Sequence, residues 1–377
     1  MTKKEIRAVA GDRGGWNAIE LPLLRALDEG HAVRVCFAAT CAKQYTAGTL
    51  QPDQRFDIKI DAPDMAARDQ FISAHGEYLL AVAASQSQEG AEVTRYALQQ
   101  SHHMPRIGVE DMYLSMAPSL AFSERRLDRL CVINPRARQL ILREFPELAG
   151  RVSVTGGPQF DKAVAMKEKW AARRQVFRHE LKVTLEPVFL VVGGLNGMAE
   201  MLQLLEEGIA MAGIADQAKV ILRTHPRAMP EDQEAARRFQ ETTARRWFTD
   251  ISPVFAPSSD DLLPAVDFVL SGYSTTNYLG VLYQMPGVVY LGTPAIRRDL
   301  FREKGLKLPP EVEAGAAWYA TTGSDIAKAI RAVYLNQPDD QTLAGIKQKQ
   351  QETASASYSD GHATDRVWQE MEKLMTS

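Results

Sequence analysis

A cluster of cationic residues that follows an apolar run could bind an anionic substrate. The run occupies residues 218–222 (AKVIL), and the residues after it are Arg223, Thr224, His225, Pro226 and Arg227. Such a run is typical of a buried strand, and the proline ends the strand because it has no N–H to donate. Guanidinium groups and an imidazole there would hold a phosphate or diphosphate, so we assign Arg223, His225, Pro226 and Arg227 to that role. Surface arginines in a solvated loop are the alternative interpretation.

A second polar group lies at residues 271–277, between a predicted strand and a predicted helix. In its sequence, SGYSTTN, every residue except Tyr273 is glycine or carries a small hydroxyl or amide group. Hydroxyls and free N–H groups at the start of a helix suit a phosphate or a ribose. Simple N-capping of the helix is the alternative. The residues that we assign to nucleotide binding here are Ser271, Gly272, Ser274, Thr275 and Thr276.

Glycine-rich loops follow the first predicted strand of each half of the chain. They are GDRGG at 11–15 and GGLNG at 193–197, and neither matches G-x-G-x-x-G, so a dinucleotide site of that type is disfavoured. Glycines after a strand let backbone N–H groups approach a ligand, although tight packing explains them almost as often. We assign Gly193, Gly194 and Asn196 to the nucleotide and Arg13, Gly14 and Gly15 to an acceptor.

Acidic residues at two predicted strand ends could serve as a general base. Glu110 and Asp111 follow a strand predicted at 105–109, and Asp12 lies in the first glycine-rich loop. A carboxylate within hydrogen-bonding reach of a hydroxyl can take its proton. Asp111 is our first choice, with Glu110 and Asp12 as alternatives. A helix cap with a surface charge would equally explain the pair, and a plain turn would explain Asp12.

Metal ligands are not evident in the sequence. No D-x-D motif occurs, and His102-His103 lacks a third ligand at convincing spacing. We therefore predict no metal and no cofactor. Cationic side chains and helix dipoles would then stabilise a departing phosphate.

Alternating strands and helices must position these residues. A strand at 6–10, a helix from about Trp16 to Glu29 and a strand at 32–38 open the first half, and a similar series opens at Pro187. This pattern predicts an α/β fold with two Rossmann-like parallel sheets and helices at the C-terminus. Gly156-Gly157-Pro158 interrupts the series, so we place one domain at 1–157 and the other at 158–377.

Composition limits the partners and the location. The 377 residues are 45% hydrophobic, and 44 Lys and Arg against 47 Asp and Glu give a net charge of −3, so no global basic field favours nucleic acid. The three cysteines show no C-x-x-C spacing, which fits a reducing compartment. No apolar run approaches the ~20 residues of a membrane span. We expect a cytoplasmic protein with at most peripheral contact with the inner face of a membrane; the sequence leaves its oligomeric state open.

The layout of nearly the whole chain resembles the GT-B superfamily of glycosyltransferases and its relatives, the UDP-N-acetylglucosamine 2-epimerases and the CDP-glycerol glycerophosphotransferases. The resemblance is carried by AGDRGGWNAIELPLLRALDEGHAVRV, RVSVTGGPQFD, VILRTHPR and AVDFVLSGYSTTNYLGVLYQMPGVVYL. It implies two Rossmann-like domains facing a central cleft, with the acceptor bound by the N-terminal domain, the donor nucleotide by the C-terminal domain, and a C-terminal helix that packs back.

Within that superfamily the signatures are most similar to bacterial sialyltransferases and some Kdo transferases, which use CMP-activated acidic sugars. Those enzymes carry an acidic pair before a glycine, a His-Pro motif and a Ser/Thr pair. His225-Pro226 and Ser274-Thr275 match the last two, and Glu110-Asp111 resembles the first with Asp111 as the base, but Met112 stands where the glycine is expected. The glutamate that many UDP-sugar transferases place after their glycine-serine loop is absent, which disfavours UDP donors.

The resemblance thus implies a metal-independent, inverting glycosyltransferase that moves a sugar from a nucleotide donor, CMP-sugar favoured, to a glycan, lipid-linked or other hydroxyl acceptor. Synthesis of a surface polysaccharide or glycoconjugate is the implied role. A nucleotide-sugar 2-epimerase, a CDP-alcohol phosphotransferase and a non-catalytic nucleotide-sugar binding protein are the alternatives.

Overall fold

The computed structural model describes residues 4–60, 71, 77–120, 127–194, 196–225, 228–242, 247–248, 258–337 and 340–376. The chain divides into two compact units. Unit 1 comprises Met1–Val164 and Ala356–Ser377, and unit 2 comprises Ala165–Ser355. No helix in the described ranges is long and apolar enough to cross a membrane.

Strands and helices alternate along the described chain, as the hydrophobic pattern predicts. The strands are β1 (Glu5–Ala10), β2 (Ala32–Phe37), β3 (Asp57–Ile60), β4 (Tyr78–Ala83), β5 (Arg106–Val109), β6 (Arg129–Val132), β7 (Val152–Val154), β8 (Val188–Val192), β9 (Lys219–Arg223), β10 (Trp247–Phe248), β11 (Phe268–Ser271), β12 (Val288–Leu291) and β13 (Trp318–Ala320).

The helices of the described residues include two short ones of a single turn. They are α1 (Arg13–Asp28), α2 (Ala39–Thr46), α3 (Gln88–Gln100), α4 (Ala117–Leu120), α5 (Pro135–Glu144), α6 (Asp161–Glu168), α7 (Trp170–Glu180), α8 (Met198–Met211), α9 (Pro230–Thr242), α10 (Thr275–Leu282), α11 (Pro294–Lys304), α12 (Pro310–Glu313), α13 (Gly323–Val333), α14 (Asp340–Ala356) and α15 (Ala363–Thr376). Short 3₁₀ helices occur at Pro146–Leu148, Pro158–Phe160 and Asp260–Ala265.

Unit 1 contains a parallel sheet in the order β3-β2-β1-β4-β5-β6-β7. Its central strand, β4, is apolar on both faces, and every residue of β4 is buried. Helix α1 packs on the sheet through Trp16, Ile19 and Leu23, each fully buried. Trp16 contacts Phe37 edge-to-face with ring centroids 4.8 Å apart. Such aromatic burial is a large contribution to the stability of a core.

The C-terminal helix α15 belongs to unit 1, and this corrects the domain division drawn at 157/158. Val367, Trp368 and Met371 of α15 lie in the same buried cluster as Ile6 and Trp16. Polar contacts fix the helix as well, because the Asp161 carboxylate accepts the N–H groups of the first two helix residues at 3.0 and 2.7 Å. The apolar face of α15 therefore draws the end of the chain back to unit 1, as the predicted fold class requires.

Unit 2 contains a parallel sheet in the order β10-β9-β8-β11-β12-β13. Helix α8 buries Met201, Leu202, Leu205 and Ile209, the face that the helical period predicts. These side chains join Phe189 and Phe268 of the sheet in one apolar cluster. Each unit is thus a Rossmann-like α/β layer structure with its own core.

The strand order fixes where a ligand site can form in each unit. In unit 2 the chain runs from β8 outward to β9 and β10 and then returns to β11 on the other side of β8. Unit 1 does the same between β1 and β4. In open parallel sheets such reversals leave a crevice at the carboxyl ends of the two strands, where ligands bind.

Candidate functional site

The carboxyl edge of the unit 2 sheet brings together the three groups that the sequence assigns to a nucleotide. Strand β8 lies between β9 and β11, and in the register Val192 pairs with Arg223 while Val191 pairs with Leu270. Gly193, Arg223 and Ser271 therefore end neighbouring strands at one edge. The strand order therefore places the three loops at one edge of the unit 2 sheet.

Gly193 joins the β8 and β9 ends directly. Its N–H donates to the Arg223 carbonyl oxygen at 2.8 Å. A Cβ at this position would lie closer than 3.0 Å to the Met198 side chain and 3.6 Å from the His225 nitrogen. The end of the flexible Met198 side chain occupies the space beside Gly193, and the backbone of the β9 end lies at van der Waals distance from it.

The cationic residues stand at the end of β9. Arg223 and His225 are both half-buried, and Thr224 between them is exposed. Pro226 and Arg227 lie outside the described residues. Arg223 and His225 are thus two of the four predicted anion-binding residues, and they lie at the strand end that the sequence predicts. A ligand at this edge of the sheet could contact both of them.

Helix α10 presents its N-terminus at the same edge, after β11. Ser274 is the N-cap, and its hydroxyl oxygen accepts the Thr276 N–H at 3.2 Å. The Thr276 hydroxyl donates to an Asp260 carboxylate oxygen at 2.7 Å. Burial raises the pKa of Asp260, and the hydrogen bond from Thr276 opposes part of that rise. The hydroxyl of Thr276, assigned to the nucleotide, therefore already has a structural partner.

The Ser271 hydroxyl differs from the hydroxyls of Ser274 and Thr276, which are both engaged in hydrogen bonds. The Ser271 side chain is 1% exposed, and no hydrogen-bond partner for the hydroxyl occurs among the described residues. Thr275 is half-buried in the first turn of α10. Because the first N–H groups of a helix have no partner within the helix, this turn offers donors to an anion.

Helix α11, which the sequence interpretation did not single out, covers part of this edge. A Cβ on Gly272 would lie 2.8 Å from the Ile296 side chain, and one on Gly197 would lie 3.6 Å from it. Asn196, assigned to the nucleotide, donates through its amide to an Asp299 oxygen of α11 at 2.9 Å. The signal in the sequence was Thr293-Pro294, an N-cap followed by proline at the first helical position.

Helix α8 is the less suitable of the two helix N-termini for a phosphate. A buried carboxylate, Asp232, accepts the Met198 N–H at 2.9 Å. This negative charge already compensates the positive end of the α8 dipole. Gly194 is exposed in the preceding loop. The geometry of unit 2 therefore favours the β9 end and α10 as the anion-binding elements.

In unit 1 the predicted alternative base, Asp12, links two loops. Its carboxylate accepts the N–H groups of Gln86 and Ser87, each at 2.8 Å, and the Ser87 hydroxyl at 2.7 Å. These contacts join the end of β1 to the loop after β4. These three hydrogen bonds occupy the carboxylate in a structural link between the loops, which disfavours Asp12 as a base.

The acidic pair Glu110-Asp111 follows β5, as predicted. Glu110 is 1% exposed, and its carboxylate accepts the Met116 N–H at 3.5 Å. Asp111 is 9% exposed, and its backbone carbonyl accepts from the Gln159 amide at 2.8 Å. The following Met112 is buried. Both acids are buried, and Asp111 is the more exposed of the two residues.

The residues assigned to an acceptor lie in the first turn of α1, which begins three residues before the predicted start. Arg13 and Gly14 are exposed, and Gly15 is buried. A Cβ on Gly14 would lie closer than 3.0 Å to an Asp111 carboxylate oxygen. The first turn of α1 therefore meets the predicted base. Among the residues that the structure describes, no three His, Cys, Asp or Glu side chains form a group that could bind a metal.

Comparison with solved structures identifies the fold over nearly the full length of the chain. The wall teichoic acid polymerase TagF matches with a TM-score of 0.64 and 12% identity, covering 99% of this chain and 89% of that chain. A glycosyltransferase from Rickettsia africae matches at 0.61 and 10%, covering 100% of both. A UDP-N-acetylglucosamine 2-epimerase from Rickettsia bellii matches at 0.61 and 13%, covering 99% and 98%.

No family model matches the chain, and no curated protein matches it. At these identities the structural likeness establishes the fold, which is the GT-B fold: two Rossmann-like α/β units, the first of which includes the C-terminal helix.

Proposed function

We propose that this protein is a glycosyltransferase that transfers a sugar from a nucleotide-activated donor to a hydroxyl acceptor. The observation that carries the proposal is the carboxyl edge of the unit 2 sheet, where Arg223 and His225 at the end of β9 and Ser271 and the N-terminus of α10 at the end of β11 lie on either side of β8. Cationic side chains, a buried free hydroxyl and helix N–H groups suit the phosphate of a nucleotide. The full-length likeness to a glycosyltransferase supports the same class of reaction.

In the proposed reaction unit 2 binds the donor and unit 1 supplies the base and acceptor contacts. Asp111 takes the proton of the acceptor hydroxyl, and the acceptor oxygen forms a bond to the anomeric carbon. The bond from that carbon to the phosphate oxygen breaks, and the nucleotide leaves with the electron pair. Arg223, His225 and the α10 N-terminus stabilise the charge on the departing phosphate. A single displacement of this kind inverts the anomeric configuration.

A CMP-sugar is the donor that we favour, because His225-Pro226 and Ser274-Thr275 resemble the His-Pro motif and the Ser/Thr pair in the sequences of transferases of CMP-activated acidic sugars. The reaction as proposed needs no metal. We further propose that the acceptor is a glycan or a lipid-linked saccharide and that the protein acts in the cytoplasm, in synthesis of a surface polysaccharide or glycoconjugate.

Nucleotide binding can be measured by thermal shift with CMP, CDP, UDP, GDP and NAD. A ligand at about 100 times its dissociation constant adds about 2.7 kcal/mol of stability. For a unit of this size that corresponds to a rise in Tm of roughly 5–10 °C. We expect CMP to raise the Tm and NAD to leave it unchanged. A rise with NAD alone would contradict a nucleotide-sugar donor.

Replacing His225 with alanine is expected to lower kcat by about 10²–10³-fold, the usual effect of removing one donor that stabilises developing negative charge. CMP affinity should fall as well, because the same group contacts the bound phosphate. The measurements are CMP release from CMP-N-acetylneuraminate and the thermal shift with CMP. His179→Ala is the matched control, since His179 is an exposed histidine of the same unit. Unchanged turnover and affinity in His225→Ala would refute the phosphate role.

A nucleotide-sugar 2-epimerase is the second candidate, and the likeness to the R. bellii enzyme supports it at a comparable TM-score. An epimerase needs no acceptor. Incubation with UDP-N-acetylglucosamine alone separates the two functions, because only an epimerase produces the inverted sugar on the intact nucleotide. A phosphotransferase would instead transfer the alcohol-phosphate group of a CDP-alcohol to the acceptor hydroxyl and release CMP. Ligand binding without turnover would indicate a non-catalytic binding protein.

A further inference from the structure

The Asp111 carboxylate lies against the first turn of helix α1. The evidence is the position of Gly14, where an added Cβ would come closer than 3.0 Å to Asp111 Oδ2 and 3.5 Å from Asp111 Cγ. Apart from its chain neighbours and the backbone of α1 itself, no other atom of the described residues lies within 4 Å of that position. The space beside Gly14 is therefore reserved for the carboxylate of Asp111.

Backbone conformation does not explain a glycine at position 14. Gly14 does not have the positive φ that favours glycine over other residues. Alanine would also be the better helix former at a helical position. The remaining difference between glycine and alanine at this position is the Cβ, and its absence leaves space for the Asp111 carboxylate.

The first turn of α1 is a fixed support for the carboxylate. Asp12 holds the start of the helix to residues 86 and 87 through three hydrogen bonds. A Cβ on Gly15 would lie closer than 3.0 Å to the Ala84 carbonyl oxygen, so the helix also abuts the backbone of that loop. Asp12 makes no side-chain cap bond to α1, and the first turn contains no acidic residue. The first N–H groups of α1 are therefore not capped by the Asp12 side chain.

We propose that Gly14 is a positioning residue for Asp111: it leaves the space in which the carboxylate rests on the N-terminus of α1, and so fixes the direction from which the base approaches a hydroxyl. The catalytic part rests on the proposed function, in which Asp111 is the base. Since the colliding group is the end of a side chain, an added methyl group displaces the carboxylate and leaves the backbone in place.

Gly14→Ala is the test. We expect kcat for CMP release from CMP-N-acetylneuraminate to fall about 10²-fold, the scale of a misplacement of about 1 Å at a reacting group. The KM for the donor should not change, because the donor is bound by unit 2. Two glycines serve as controls. A Cβ added at Gly345 would contact no neighbouring group within 4 Å, so Gly345→Ala should leave kcat unchanged. A Cβ added at Gly15 would collide with a backbone carbonyl, so Gly15→Ala should lower the Tm.

A double-mutant cycle with Asp111→Ala separates positioning from a general structural effect. If Gly14 acts through Asp111, Gly14→Ala causes no further loss of kcat once the carboxylate is gone. The Tm is expected to show the same dependence on Asp111. Gly14→Ala should lower the Tm by about 2–4 °C more when Asp111 is present than in the Asp111→Ala background. This difference corresponds to a coupling free energy of about 1 kcal/mol. Equal losses of kcat in both backgrounds, or wild-type kcat in Gly14→Ala, would overturn the proposal.

The two readouts also distinguish the failure of this proposal from the failure of the proposed function. The Tm cycle reports the contact between Gly14 and Asp111 whether or not the protein turns over a donor. A Tm coupling of zero refutes the contact itself. A clear Tm coupling together with no CMP release by the unaltered protein keeps the contact and refutes the donor and the catalytic role.

Discussion

Asp111→Asn is expected to lower turnover by about 10²–10⁴-fold, the contribution usual for general base catalysis. Asparagine has the shape of aspartate and fits the same space beside Gly14, and the Asp111 carbonyl that accepts from Gln159 is unchanged. The amide cannot accept the acceptor's proton. Nucleotide affinity should remain that of the unaltered protein, because the nucleotide is bound by unit 2. The measurements are initial rates of CMP release and the thermal shift with CMP.

Glu110→Gln is the matched comparison, because it removes the neighbouring carboxylate by the same chemical change. Glu110 is almost fully buried, and its carboxylate accepts from the Met116 backbone. We expect Glu110→Gln to lower the Tm while retaining most of the turnover. Full turnover in Asp111→Asn would move the base to Glu110 or Asp12. A loss of activity in Asp12→Asn alone would point to Asp12, in spite of the three hydrogen bonds that engage it.

The class of fold could be predicted from the sequence because it depends on short-range patterns. Strand β4 is an example, since its six apolar residues in succession are typical of a strand buried on both faces. The apolar face of α8 followed from the helical period. Parallel strands then place all their carboxyl ends at one edge, so the meeting of the Gly193, Arg223 and Ser271 loops was predictable as well.

The contacts within the site were not predictable, because they join residues distant in sequence. Nothing local shows that Asn196 bonds to Asp299 or that Thr276 bonds to Asp260. The three-residue error at the start of α1 has a related cause, since two glycines lower the helix propensity of a turn that is held by Asp12 from outside. The return of α15 to unit 1 likewise depends on burial of its apolar face against residues more than 350 positions earlier in the chain.

Asp267→Ala is expected to lower the free energy of unfolding of unit 2 by about 3–5 kcal/mol, the cost of breaking a largely buried ion pair from one side. The Asp267 carboxylate accepts from Arg174 at 2.6 Å, from Arg178 at 3.2 Å and from the Val188 N–H at 2.9 Å. Its own N–H donates to the Val188 carbonyl at 2.9 Å. Asp267 thereby ties together the starts of β8 and β11, the two strands whose other ends carry Gly193 and Ser271.

The loss should appear as a lower calorimetric transition temperature for unit 2 and as weaker CMP binding. Arg178 is 9% exposed and would retain its bonds to the carbonyls of Thr184 and Glu186, but its charge would lose the nearest carboxylate. Asp216→Ala, an exposed aspartate of the same unit, is the control and should change stability by no more than about 0.5 kcal/mol. If Asp267→Ala has the same transition temperature as Asp216→Ala, the ion pair does not hold β8 and β11 together. The carboxyl edge of the unit 2 sheet must then be fixed by the apolar contact between Phe189 and Phe268, whose stacked rings have centroids 4.7 Å apart.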